Sequence, residues 1–328
     1  MKAAVVRDAG QIPGFEPFAF PAPGEASVVT VLATALSPRV RSGASGQHYT
    51  SRKVFPLVPG LDGVGQLSDG RRVYFLAAND TVGTMAEQAL ADPQLSLDLP
   101  PNVSASVVAA AMIPALSSWV ALTRRAELQR GESVCVLGAT GTAGQLAVQI
   151  AKHLGAGRVV AVGRDGDALR RVSELGADSA IRLTGGPADG ATVAALASEV
   201  DIVLDYLWGT VTTAVMPALC SRREAETRLL QWVLIGSAAG DAIALSSVLL
   251  RKRNLRILGS GQGAISTADM FAASADVVAA IADGKLQVRA REVPLEDVAR
   301  YWSAPLPSGE RWVFVTEQER AARAAGAA

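Results

Sequence analysis

The sequence predicts an α/β protein of two domains, a β-rich domain followed by a doubly wound, six-stranded parallel sheet. Three observations predict it. The chain has 328 residues, and single hydrophobic cores stop growing near about 250 to 300 residues. Before residue 100, short β-type runs alternate with Pro- and Gly-rich turns, with little helical periodicity. Beyond Trp119 an apolar strand, a glycine and an amphipathic helix recur in turn, the pattern of a parallel sheet with helices on both faces.

In the first part, runs at 3–7, 27–33, 64–67 and 72–76 have the apolar, β-branched character of strands. In the second, strands are expected at 134–137, 159–162, 180–183, 202–204, 232–235 and 255–258, the sheet closing near 259–263. A helix around 270–282 and a strand at 312–316 then return to the first domain. The expected division is 1–115, 116–262 and 263–328. From Glu319 onward no large apolar side chain occurs, so the tail is expected to fray.

Composition narrows the function classes. Lys+Arg and Asp+Glu are equal at 31 each, so no basic nucleic-acid surface is expected. With 49% hydrophobic and 19% charged residues the chain is not of disordered type. The opening MKAAVVRDAG lacks a leader's apolar segment, and no uninterrupted apolar run approaches ~18 residues. A cytoplasmic protein without membrane association is expected. Cys135 and Cys220 are the only cysteines, too few for a disulfide framework or a cysteine-based metal site.

The segment GESVCVLGATGTAGQLAVQIAKHLGAG drives an apolar strand straight into Gly138, Gly141 and Gly144. Such a turn must reverse sharply, let backbone amides approach a pyrophosphate, and seat a helix close to the sheet. Ala147, Ile150, Ala151 and Leu154 then define one helical face, and Gly155 ends it. The expected cofactor contacts here are Gly138, Thr140, Gly141, Thr142, Ala143 and Gly144. At the end of the next strand an NAD-binding fold places an acid for the ribose hydroxyl. This chain has Gly163 and Arg164 instead. A guanidinium pairs with a 2′-phosphate, so NADPH is expected, with Arg170 and Arg171 adding to the field. Asp165, one step on, is the competing ribose ligand.

In order, PGLDGVG (59–65), GTMAE (83–87), IPALSSWVAL (113–122), GATGTAGQLAVQIAK and GSGQG (259–263) resemble the medium-chain dehydrogenase/reductases over nearly the whole chain. The resemblance implies a GroES-like catalytic domain, a Rossmann NADPH-binding domain, a returning C-terminal segment, and a cofactor in the cleft between domains. Zinc-dependent relatives carry a Cys where Ser37 stands and a Gly-His-Glu where Gly60-Leu61-Asp62 stands. His48 and His153 have no partner at ligand spacing, so no metal site is expected. The stretch 40–60 is similar to the zinc-independent quinone oxidoreductases, whose cleft-rim tyrosine corresponds to Tyr49 despite extra residues before it. The resemblance further implies cofactor contacts from Ser117, from Tyr206 in DYLWG, from Gly236 and Ser237, and from Ser260 and Gly261. Trp208 reads equally as a pocket wall or as core.

Without a metal, turnover is expected to rest on holding an already electron-poor quinone or enone against the nicotinamide. Tyr49 is the first candidate proton donor and Ser37 a weaker one, with rim packing as the alternative for Tyr49. Two other readings stay open: reduction of an isolated ketone, and NADPH binding without turnover. A homodimer is expected, partly from the resemblance and partly because strand 255–258 would be an exposed apolar sheet edge.

Overall fold

The computed structural model describes residues 1–79 and 81–326. The chain first forms β1 (Lys2–Val5), β2 (Gly14–Pro17), β3 (Ser27–Ala35), α1 (Pro38–Ala44), β4 (Asp62–Gln66), β5 (Arg72–Ala77), β6 (Gln88–Asp98) and α2 (Ala105–Val120). Strands and helices then alternate: β7 (Ser133–Leu137), α3 (Thr142–His153), β8 (Arg158–Gly163), α4 (Gly166–Glu174), β9 (Ser179–Arg182), α5 (Asp189–Ala197) and β10 (Ile202–Asp205). The alternation continues with α6 (Gly209–Arg222), β11 (Leu230–Leu234), α7 (Ser247–Lys252), β12 (Leu255–Gly259) and α8 (Thr267–Phe271). Last come α9 (Ser274–Ala282), β13 (Arg289–Pro294), α10 (Val298–Tyr301), β14 (Glu310–Val315) and α11 (Glu317–Gly326). These elements group into two compact units, Met1–Ile113 with Ser274–Ala328, and Pro114–Ala273.

The first unit is a GroES-like sheet in the order β13-β14-β3-β4-β5-β6, curled so that β6 also pairs with β3. Alternation along the strands sends Val29, Val31, Val73, Phe75, Ala89 and Ala91 into one buried cluster. β6 escaped the sequence reading because Pro93 interrupts it, and prolines are disfavoured within a ladder. Its position resolves the conflict: Ser27 to Thr30 of β3 pair with β6 before the proline, while residues 96–98 after it pair with β5. β13 was missed because RAREVP shows no apolar alternation; it lies at the sheet edge, parallel to β14.

The second unit is a Rossmann domain. Its six parallel strands run β12-β11-β10-β7-β8-β9, the 3-2-1-4-5-6 order of the doubly wound fold. Cys135, Leu137, Val160, Val162, Val203 and Trp232 build the core against one face. The helix expected over 270–282 is two helices: α8 buries no residue, whereas α9 buries Val277, Val278, Ala280 and Ile281. Only the second part has an apolar face to dock, so the helix does not run through.

The C-terminal residues expected to fray form α11 as far as Gly326. Polar contacts hold it where apolar ones are lacking, Arg323 binding both Glu292 at 2.8 Å and Glu319 at 2.8 Å. By length and composition, residues Ala105–Arg125 could cross a membrane, but 83% of that window is buried inside the protein. Its all-round hydrophobicity is that of a core helix.

Candidate active site

Parallel strands place all their carboxyl ends on one edge of the Rossmann sheet, and most of the predicted cofactor residues lie there. At the end of β7, Gly138 has φ of 93°, a left-handed conformation that favours glycine. A Cβ on Gly144 would stand 2.2 Å from the Gly138 carbonyl oxygen, so only glycine lets α3 start this close to the turn. Gly141 caps α3 with extended backbone and leaves the space above the turn open. Thr142 and Ala143 form the first turn of α3, and Thr140 packs its side chain against Gly163 at the end of β8.

Beyond Gly163, Arg164 is exposed. Asp165 serves as the N-cap of α4, its Oδ1 accepting from the Asp167 and Ala168 amides at 3.0 Å each. Arg182, missed from the sequence, joins this corner because β9 pairs it with Gly163; its Nε donates to the Arg164 carbonyl at 3.2 Å. No local signal marks it, since the two arginines meet only through sheet register.

After β10 the loop Tyr206-Leu207-Trp208 is held by Asp205, a fully buried carboxylate. Its Oδ1 accepts from the Leu207 and Trp208 amides at 2.8 and 2.9 Å. Its Oδ2 accepts from Thr212 Oγ1 at 2.5 Å and Trp232 Nε1 at 2.8 Å. Trp208 has φ of 52° and ψ of −154°, a region costing a non-glycine residue about 1 to 3 kcal/mol. Four donors on one carboxylate hold the loop in that conformation. The Trp208 side chain packs against the core of this unit, which favours core over pocket wall.

Tyr206 turns back toward α2, where its hydroxyl shares a 2.6 Å hydrogen bond with Ser118 Oγ. Burial pushes its pKa up to about 12, against hydrogen bonding with Ser118 and Ser117, which lowers it. Ser117 Oγ donates to the Pro114 carbonyl at 2.8 Å. The sequence reading selected Ser117 and missed its neighbour Ser118. Gly236 packs on the Tyr206 backbone, Ser237 is exposed after it, and Gly261 follows Ser260 past β12. Ser260 is buried and, among the described residues, its hydroxyl has no partner. A glycine cradle, an arginine corner and an orphaned hydroxyl along one sheet edge fit a phosphorylated dinucleotide.

The other candidates belong to the first unit. Tyr49 is 71% exposed and stacks on His48 with ring centroids 4.2 Å apart. His48 Nδ1 lies 2.9 Å from Thr50 Oγ1, and Arg39 Nη2 donates to the same hydroxyl at 2.7 Å. Burial and then the Arg39 charge bring His48 down to about 4, keeping its ring neutral. Ser37 caps α1, its buried Oγ accepting from the Val40 amide at 3.1 Å. Asp62 is buried, and burial raises its pKa to about 7 despite the Arg311 charge and a hydrogen bond from Tyr74. Among the described residues no group of three His, Cys, Asp or Glu side chains could hold a metal ion.

A GroES-like unit and a Rossmann unit in one chain are the architecture found in the medium-chain dehydrogenase/reductases. Residues 143–280 match the zinc-binding dehydrogenase family. A probable NADPH-dependent quinone reductase of Emericella nidulans is 28% identical, over 90% of this chain and 93% of that one. Among solved structures, a probable oxidoreductase from Mycobacterium abscessus superposes with a TM-score of 0.77 at 25% identity, covering 96% of this chain and 98% of that one. A mycobacterial quinone oxidoreductase superposes with a TM-score of 0.81 at 21% identity, covering 96% and 99%. In sequence and fold the chain is similar to the quinone oxidoreductase-like medium-chain dehydrogenase/reductases.

Proposed function

We propose that this protein is a cytoplasmic, metal-free enzyme that uses NADPH to reduce a small electron-poor acceptor, a quinone or an α,β-unsaturated carbonyl. The observation that carries the reading is the corner at the end of β8. Arg164 stands where an NAD enzyme has an acid, and the nearest acid, Asp165, caps α4. Arg164 and Arg182 would hold the 2′-phosphate through charge-assisted hydrogen bonds. The amides and small side chains of 138–144 would take the pyrophosphate at the start of α3. Tyr206, Ser117, Gly236, Ser237, Ser260 and Gly261 would line the remainder of the cofactor.

Bound NADPH supplies a hydride. The protein's own part is orientation, exclusion of water and a proton for the reduced acceptor. A conjugated carbonyl moves incoming charge onto its oxygen, where Tyr49 would donate a hydrogen bond or proton. Ser37 is the weaker candidate, since its hydroxyl is buried at the start of α1 as the helix cap. In this assignment 1–115 and 263–328 carry the acceptor-side residues and 116–262 binds NADPH. The relatives support the acceptor class: besides the quinone reductase, a tomato 2-methylene-furan-3-one reductase is 30% identical over 48% of this chain. The test is steady-state kinetics with NADPH and NADH against a quinone, an enone and its saturated ketone. NADPH oxidation by the first two and not the third is expected. Turnover of the ketone alone, or tight NADPH binding with no turnover at all, would overturn the reading.

A further inference from the structure

A cavity of about 370 Å³ opens on the GroES-like unit between α1, the turn at Gly10 and Gln11, and the indole of Trp302. That volume lies within the ~300 to 1,000 Å³ of small-molecule sites. Arg41 is the one charged residue in its lining. Its backbone is built into α1, the amide donating to the Ser37 carbonyl at 3.0 Å. Among the described residues its guanidinium has no such anchor, and the buried Nε has no hydrogen-bond partner. Burial lowers its pKa, and among the described residues no carboxylate opposes that shift.

The arginines of two other cavities on this unit are paired. Arg71 binds Asp69 and Asp98, and Arg289 and Arg291 bind Glu310. A half-buried cation without a counter-charge opposes folding. An oxyanion taken in two parallel hydrogen bonds relieves that cost, and a guanidinium is shaped for it. Trp302, only 7% exposed, adds a flat apolar wall beside this charge.

We propose that this cavity is a binding site for a small organic carboxylate, its head group paired with Arg41 and its apolar body against Trp302. The site belongs to one unit and stands independently of the NADPH reading. Its test is isothermal titration of the full chain with benzoate at low salt, with and without NADPH, alongside inorganic phosphate. One saturable benzoate site per chain is expected in both conditions, with phosphate weaker because it cannot use the indole. Arg41→Gln is expected to raise the benzoate Kd by about tenfold or more, and Arg41→Lys to raise it less, because it keeps the charge and loses the fork. Unchanged affinity in a folded Arg41→Gln, or no saturable binding to the wild type, overturns the site. Phosphate binding as tightly as benzoate overturns the carboxylate assignment. Should Arg41→Gln fail to fold, unchanged benzoate affinity in Arg41→Lys counts against the proposal in its place.

Discussion

At Arg164 the choice between two nicotinamide cofactors reduces to one charge. A bidentate contact to a 2′-phosphate is worth about 1.5 to 3 kcal/mol, so Arg164→Ala is expected to raise the Kd for NADPH roughly 10- to 150-fold. NADH binding, which offers no such phosphate, should barely change, and equal losses for both cofactors would refute the pairing. Tyr49 calls for a different reading because the acceptor itself carries the electron demand. Loss of one neutral hydrogen bond corresponds to about 2- to 12-fold in kcat, whereas loss of an essential proton donor costs about 10² to 10⁴. Tyr49→Phe is expected in the first range, with a smaller effect on a quinone than on an enone. A rise in KM alone, equal for both acceptors, would make Tyr49 a packing residue. Arg164 was legible because strand, glycine and following residue are contiguous. The Arg39, His48 and Thr50 cluster around Tyr49 was not, since local loop geometry decides it.

Among the elements, the loop after β10 depends on the buried Asp205 carboxylate. Asp205→Asn puts an amide NH₂ where one oxygen accepts, leaving donors facing donors, and a hydrogen bond to a charged group is worth about 1.5 to 3 kcal/mol. Lower Tm together with weaker NADPH binding is expected, because the loop carries Tyr206. Thr212→Val removes one donor only and should lower Tm by less while sparing cofactor affinity. Full NADPH affinity in a folded Asp205→Asn would separate the loop's shape from cofactor binding. The β4 strand carries a second buried carboxylate with a measurable consequence. Asp62 has a folded-state pKa near 7, mainly from burial, against about 3.9 in an unfolded chain. The folded state therefore binds this proton more tightly, and the associated stability is fully present below about pH 4 and lost as pH rises through about 7. Thermal unfolding at a series of pH values should show that component in the wild type and not in Asp62→Asn. A wild-type profile without it would mean that Arg311 compensates the carboxylate fully. Sequence pattern found most strands of the two six-stranded sheets but passed over β6 and β13, and over β2 of the two-stranded sheet. A proline and a run of charges mask strands whose pairing comes from distant partners.

For the molecule as a whole, the outer edge of the Rossmann sheet bears on assembly. β12 is an edge strand, and Leu245, Val248 and Leu250 nearby are exposed, an apolar surface that a monomer would leave to water. We expect a homodimer pairing these edges, and sedimentation at micromolar concentration should show about twice the 33.9 kDa chain mass. A single species at the chain mass would refute it, with Arg251, Lys252 and Arg256 then acting as charged guards of a monomer edge. Activity is expected to survive exhaustive chelation, whereas stoichiometric zinc whose removal abolishes turnover would refute the metal-free mechanism. The sequence by itself determined the two-part architecture, the glycine turn, the arginine after β8 and the resemblance to the medium-chain dehydrogenase/reductases. Each is written in contiguous residues or in a period that local sterics and hydrophobic alternation enforce. Only the tertiary structure decided that Arg182 stands beside Arg164, that Asp205 holds the strained Trp208, that Ser118 meets Tyr206, and that Arg41 lacks a counter-charge among the described residues. Those facts depend on which distant side chains share a sheet register or a buried volume, and no local pattern encodes that.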